Sequence, residues 1–256
     1  MPPIFCVVSL ERSKGKTSLI EWLVKRLSRS GVRVATIKHS KEPIDLKDKD
    51  TYRHLKAGAL EVSYVSPFEL VTIRRVEASL EDAINSLHVS SDLILVEGFK
   101  ESPYPKILCL KSLDEAREAV KRISNVIAVA HEFPSEGLQV GDVKVLGRDD
   151  VFKLIKKSVI EYWIKRIPGL NCGKCKYGSC AGLADAIRRG EATIRECIMR
   201  GVYDARILID QEEIPLGAWP QQLLRELIMA FVKALKLRGL SIEKAEKILV
   251  EVRLKR

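Results

Sequence analysis

The sequence predicts an α/β protein: a mostly parallel sheet covered by helices, then a small Cys-rich module and a C-terminal α+β tail. Three observations carry this prediction. Strand-like and helix-like patterns alternate from residue 1 to about 165. Several strand-like runs are apolar throughout, as strands buried on both faces are. At Pro168-Gly169 the character changes, and four of the six cysteines then fall between Cys172 and Cys197.

Residues 4–9 form a continuous apolar strand. Residues 16–29 read as a helix with Leu19, Ile20, Leu23, Val24 and Leu27 on one face, ended by Gly31. A second strand follows at 32–37, then a helix over 50–57 with Gly58 behind it. Residues 61–65 and 70–73 suggest a hairpin around Pro67. Ser79-Leu80-Glu81-Asp82 reads as a capping box opening a short helix. Residues 92–97 are a buried strand ending in the carboxylate of Glu97, and 106–110 are another strand. Ser112-Leu113-Asp114-Glu115 is a second capping box, with a helix to about Arg122. Strands at 126–130 and 143–146 precede a long amphipathic helix over 149–166, capped by Asp149 or Asp150.

After the cysteines come a strand at 206–209, a turn, a helix from Pro220 to about Leu237 and a strand at 248–254. The helix carries an apolar stripe of Leu223, Leu224, Leu227, Ile228, Phe231, Val232 and Leu235. Packing against a small two-strand sheet accounts for it, and an exposed remainder could serve dimerisation. The expected domains are 1–167, 168–200 and 201–256.

An apolar fraction of 46% over 256 residues supports a packed core and excludes general disorder. The net charge of +10 favours anionic ligands. Basic residues are scattered and no aromatic-plus-basic stripe forms a stacking platform, which disfavours nucleic acid. No apolar run approaches the ~20 residues of a membrane span, and the run at 4–10 is too short and lacks the basic flank of a signal peptide. A soluble cytoplasmic protein is expected. Three Asn and four Gln beside 30% charged residues lean towards a thermophile.

After the first strand stands Ser9-Leu10-Glu11-Arg12-Ser13-Lys14-Gly15-Lys16-Thr17-Ser18, whose end is that of a P-loop. Gly15 lets the backbone approach phosphates, and successive N–H groups at a helix start supply positive potential. Lys16 would reach the β- and γ-phosphates, and Thr17 would put its hydroxyl on Mg²⁺. Leu10 stands where the motif has its first glycine, so the turn there must be made differently. The setting, strand before and amphipathic helix after, supports a P-loop NTPase-like fold. Glu97, followed by Gly98, is placed where a second acidic residue meets the Mg²⁺ shell or a water.

Gly15-Lys16-Thr17, Ile37-Lys38-His39, Lys49-Asp50-Thr51 with Lys56-Ala57-Gly58-Ala59, and Leu95-Val96-Glu97-Gly98-Phe99-Lys100 together resemble the molybdopterin-guanine dinucleotide biosynthesis protein B (MobB) family over about residues 4–160. The resemblance implies a GTP-binding, usually dimeric P-loop protein with slow hydrolysis, an accessory to the guanylyltransferase that joins GMP to molybdopterin. It implies nucleotide contacts from Ser13, Lys14, Gly15, Lys16, Thr17, Ser18, Lys38, His39 and Asp50, with Thr17 and Glu97 at Mg²⁺ and Lys16 and Glu97 as the catalytic pair. Leu55 stands where relatives often have arginine. Read from the residues alone, Lys38-His39 is either an anion contact or a polar loop, and no Asn-Lys-x-Asp guanine-reading motif is present.

Cys6 and Cys109 sit alone in apolar strands, as small buried hydrophobes do. The other four are spaced Cys172-x2-Cys175-x4-Cys180-x16-Cys197. Gly173 and Gly178 allow backbone N–H groups to point at sulfur, and residues 181–189 form a helix ended by Gly190 that returns Cys197 as fourth ligand. Lys174, Lys176, Arg188 and Arg189 would offset an anionic cluster. Residues 168–200 resemble the [4Fe–4S] domain of Rnf-type electron-transfer subunits and corrinoid iron–sulfur proteins. Structural zinc also accepts four thiolates but more often uses two close cysteine pairs, and a disulfide suits an oxidising compartment.

The reading is therefore a GTP- and Mg-binding accessory in guanylylation of molybdopterin, with a [4Fe–4S] module of redox or docking role. Its expected partners are the guanylyltransferase, a second copy of the chain, molybdopterin, and a molybdenum or tungsten enzyme. The alternative is a nucleotide-gated electron-transfer or carrier adaptor outside pterin chemistry, or a zinc site at the cysteines.

Overall fold

The computed structural model describes all residues except 11–14, 41–49, 88–90, 111, 132–136, 200–204, 206, 210–211, 215, 217, 236–247, 251 and 253–256. Two compact units are distinguished, residues 2–162 and residues 163–256 with Met1.

The first unit runs β1 (Ile4–Val8), α1 (Lys16–Arg29), β2 (Val34–Lys38), α2 (Asp50–Lys56), β3 (Glu61–Val65), β4 (Leu70–Arg74), α3 (Leu80–Asn85), β5 (Leu93–Glu97), β6 (Lys106–Cys109), α4 (Leu113–Arg122), β7 (Val126–Ala130), β8 (Gln139–Val140), β9 (Val143–Leu146) and, as far as Tyr162, α5 (Arg148–Lys165). The sheet order is β2-β5-β1-β6-β7-β9-β8. Every pairing is parallel except β8 with β9. β1 is buried at all five positions because it has a strand on each side and helices on both faces.

The strand alternation divides the core. Cys6, Val8, Ile94, Val96, Leu108 and Val129 point to one face with Leu80 and Ile84 of α3 and Ala116 and Ala119 of α4. Phe5, Val7, Leu93 and Leu95 point to the other, where α1 contacts β1, β2 and β5 and buries Leu19, Ile20, Leu23 and Leu27. α5 lies beside α1 through an edge-to-face pair of Trp22 and Phe152, 6.4 Å between centroids. The Arg26 guanidinium stacks over both rings. The strand order reverses at β1, so β2 and β5 lie on one side of it and β6 on the other. The C-terminal edge of the sheet at that point is where such folds bind ligands.

The first unit follows the pattern read from the sequence, with local differences. Ser79 accepts from Asp82 N–H and the Asp82 carboxylate accepts from Ser79 N–H, completing the expected capping box. Ser112 accepts from Glu115 N–H and caps α4. β2 begins at Val34 rather than residue 32. α5 begins at Arg148, so Asp149 and Asp150 lie in its first turn, not at its cap. There they face the helix dipole favourably and pair with Arg26 and Lys153. The two-residue strand β8 was too short to signal itself.

The second unit holds α6 (Cys180–Arg189), a short 3₁₀ turn (Ile194–Glu196), β10 (Ile207–Ile209), β11 (Glu212–Ile214) and α7 (Ala218–Ala234). Here the expectation needs correction. β10 pairs with β11, which falls in the segment read as a turn. Residues 248–250 and 252 of the expected last strand are irregular, and its remainder lies outside the described residues, as does Arg206. α7 begins two residues before Pro220, which sits in the first turn where no N–H partner is needed. Residues 236–237 of that helix lie outside the described residues. The apolar stripe of α7 splits: Leu224, Ile228 and Val232 are half-buried, whereas Leu223, Leu227 and Phe231 are exposed. No described helix is long and apolar enough to cross a membrane.

Candidate functional site

At the reversal point the chain leaves β1 through Ser9 and re-enters helix at Gly15. Gly15 is the N-cap of α1 at φ 82°, a left-handed conformation that a side chain disfavours. It has no side-chain cap bond, and the helix N-terminus that opens there carries positive potential. Lys16 donates from Nζ to Ser9 Oγ at 2.7 Å. Thr17 Oγ1 donates to both carboxylate oxygens of Glu97, at 3.0 and 3.1 Å. Lys38 Nζ donates to Glu97 Oε1 at 2.5 Å, because parallel pairing of β2 with β5 puts Lys38 level with Glu97. The Glu97 side chain is 12% exposed. An ammonium, a hydroxyl, a carboxylate and a helix N-terminus thus converge, a set whose chemistry suits a phosphate chain with a divalent cation.

The sequence-expected residues divide. Gly15, Lys16, Thr17, Lys38 and Glu97 are brought together. His39 joins through its backbone N–H, which donates to Glu97 O at 2.9 Å, while its ring stacks on Phe99 at 4.4 Å. Ser18 is exposed in the first turn of α1. Asp50 opens α2 and pairs with Arg53 at 3.3 Å, with its side chain 84% exposed. Ser13, Lys14 and Lys49 lie outside the described residues.

Three further residues belong to the site. Ser9, 4% exposed, anchors the Lys16 ammonium; its position at the strand end was the available signal. Lys100 Nζ donates to Leu10 O at 3.2 Å, fixing the carbonyl of the residue that replaces the usual first glycine. Phe99 adopts φ 55°, uncommon for a bulky side chain, and nothing in the sequence signalled it. Gly98 at φ 102° cannot be replaced freely, since a Cβ there would stand 2.9 Å from His39 Cβ.

Cys6 and Cys109 are buried beneath this edge, as expected. Burial pushes the Cys109 thiol up to about 12, and burial also raises Cys6, whose Sγ lies 3.3 Å from Ser102 Oγ. Both thiols are therefore protonated at neutral pH. Iodoacetamide should leave them unmodified in the native protein and react only after denaturant is added. Native labelling of either at the rate of an exposed cysteine would contradict the assignment.

The cysteine module lies in the second unit. Asn171 closes its loop: Oδ1 accepts from Cys180 N–H at 3.1 Å and its own N–H donates to Cys180 Sγ at 3.4 Å. Gly173 and Gly178 take φ 68° and 71°. Ser179 caps α6, accepting from Gly182 N–H at 3.0 Å. Cys172 is exposed, Cys175 and Cys180 are half-buried, and Cys197 follows the 3₁₀ turn and is buried. None of the four is in a disulfide. Among the described residues, no three His, Cys, Asp or Glu side chains already stand in metal-holding positions. The donor set itself, four thiols with a backbone N–H already on one sulfur, suits an iron–sulfur cluster or zinc. Glu196 accepts from Lys176 Nζ at 3.0 Å and from Tyr177 Oη at 3.1 Å. The hydrogen bond from Lys176 is the main cause holding the Glu196 carboxyl below its ordinary range.

The family model described as "Molybdopterin guanine dinucleotide synthesis protein B" matches residues 4–132, and one described as "Putative Fe-S cluster" matches residues 167–199. A Methanocaldococcus jannaschii protein named "Putative molybdopterin-guanine dinucleotide biosynthesis adapter protein" is 29% identical over 250 residues, 94% of each chain. The molybdopterin-guanine dinucleotide biosynthesis adapter protein of Haemophilus influenzae is 34% identical over 128 residues, 48% of this chain and 71% of its own. The solved structure of Bacillus subtilis MobB superposes with a TM-score of 0.50 at 26% identity, covering 61% of this chain and 97% of that one.

Proposed function

Because this chain belongs to the MobB family, we propose that it is a GTP-binding accessory protein that assists guanylylation of molybdopterin. Molybdenum is the expected metal, with tungsten the variant. The observation that carries this is the meeting of Thr17 and Lys38 on Glu97, with Lys16 held on Ser9 beside it, at the reversal point of the sheet.

In this reading Lys16 exchanges Ser9 Oγ for the β- and γ-phosphates. The N–H groups after Gly15, with those of Ser13 and Lys14, wrap the phosphate chain, while Ser18, Lys38, His39 and Asp50 complete its surroundings. Thr17 and Glu97 hold Mg²⁺, which supplies neutralisation of the phosphate charge. Hydrolysis is slow. A homodimer forms through the β3–β4 hairpin, whose Tyr64, Val65, Phe68 and Leu70 are exposed. The guanylyltransferase is the principal partner, and molybdopterin and its receiving enzyme follow.

Cys172, Cys175, Cys180 and Cys197 hold a [4Fe–4S] cluster, whose chemistry is one-electron transfer or a rigid docking surface. The 167–199 match supports a cluster at this position. It also favours the second reading, an electron-transfer adaptor gated by nucleotide.

A reconstituted assay separates these: guanylyltransferase, molybdopterin and GTP, with and without this protein. Faster formation of the guanine dinucleotide is expected. An unchanged rate beside intact GTP binding would move the assignment to the adaptor. Anaerobic purification should give iron and sulfide in equal amounts. A colourless protein with one zinc would replace the cluster with a structural metal.

A further inference from the structure

The cysteine ligand set is split along the chain, and its two parts are organised separately. Cys172, Cys175 and Cys180 share a loop that Asn171 closes onto Cys180 through two hydrogen bonds. Cys197 comes after α6 and the 3₁₀ turn, with sixteen residues between it and Cys180. For four thiolates to serve one metal group, the distant cysteine must be held against the loop.

Glu196, the residue before Cys197, bridges that gap. Its Oε2 accepts from Lys176 Nζ at 3.0 Å and from Tyr177 Oη at 3.1 Å. Lys176 and Tyr177 directly follow Cys175. The Lys176 ammonium also lies 5.0 Å from the Tyr177 ring centroid, so the two donors are held together. Tyr177 is itself fixed. Its carbonyl accepts from Ser179 N–H at 2.8 Å, and it presses so closely on α6 that a Cβ at Gly182 would stand 2.4 Å from it. Gly178 N–H bonds to Cys175 O at 3.1 Å, carrying that rigidity to the ligand. These contacts join protein groups to one another and involve no cysteine sulfur.

We propose that Glu196 is a positioning residue for the metal group: its carboxylate clamps the Cys197 turn to the Cys175 loop through Lys176 and Tyr177. The inference rests on the cysteines being ligands, as proposed above. It adds that retention of the group depends on three side chains that do not touch it.

The test uses the full-length chain, reconstituted anaerobically with ferrous iron and sulfide, in wild type, Glu196→Gln, Tyr177→Phe, Lys176→Met, Lys176→Arg and the Glu196→Gln/Lys176→Met pair. Loss of visible charge-transfer absorbance is followed after adding a ferrous chelator. Glu196→Gln should lose the cluster roughly three- to tenfold faster, given the usual worth of such bonds. Lys176→Met and Tyr177→Phe should have smaller effects in the same direction, and Lys176→Arg should restore wild-type retention. The double variant should decay no faster than Glu196→Gln, since both changes open one clamp. Visible circular dichroism of the freshly loaded variants should change with Glu196, as the ligand geometry relaxes. Equal decay rates in wild type and Glu196→Gln, or additive effects in the double variant, would overturn the clamp. Should the wild-type chain take up no iron and sulfide, the ligand assignment fails first, and zinc retention by the same variants then tests the clamp.

Discussion

Lys16→Ala should lower affinity for GTP by at least about 100-fold. The lysine follows the left-handed Gly15 at the start of α1, and its ammonium rests on Ser9 Oγ at the end of β1. Both ends of the side chain are thereby placed by rigid elements rather than by a free loop. Its removal deletes two charge-assisted contacts to the phosphate chain, each of about 1.5–3 kcal/mol, and a tenfold change needs only ~1.4 kcal/mol. The helix N–H groups remain, so weak binding should persist. Lys16→Arg keeps the charge but not the compact ammonium, and should fall between the two. Fluorescence titration with a labelled GTP measures all three. Undiminished affinity in Lys16→Ala would remove the phosphate site.

The second large effect is at the cysteines. Cys172→Ser with Cys175→Ser should leave a colourless protein with almost no iron or sulfide, because two of four thiolates are gone. GTP affinity should stay within about twofold of wild type, as expected for changes at independent sites. Gly15, Lys16, Thr17, Lys38 and Glu97 all lie in the 2–162 unit, and the four cysteines all lie in the other. If nucleotide affinity collapsed with the cluster, the two sites would not be separate modules.

Much of this was readable from residue order. The P-loop end at Gly15-Lys16-Thr17 and the strand-final Glu97 carry their chemistry in local spacing, and the structure brings them together. The meeting of Lys38 with Glu97 was not readable, because it depends on β2 lying beside β5, a non-local pairing. Asp50 reads as a site residue by resemblance, yet here it pairs only locally with Arg53 among its described contacts. Lys106 illustrates a different limit. A lysine at the head of an apolar strand suggests a solvated end, but it is fully buried, and its Nζ donates to Ser102 O at 2.5 Å and Tyr104 O at 3.1 Å. Loop carbonyls that satisfy a charge leave no local pattern. The C-terminal tail was misread for a related reason. Strands as short as Glu212–Ile214 are set by their partner, and Glu-Glu offers no strand propensity of its own.

The Lys16–Thr17–Glu97 junction is tested most directly by calorimetric titration of the intact protein with GTP, with and without Mg²⁺, in wild type and Glu97→Ala. The account predicts saturable binding that Mg²⁺ tightens in wild type and no longer tightens in Glu97→Ala. Absence of saturable GTP binding, or a Mg²⁺ effect that survives loss of Glu97, would contradict it.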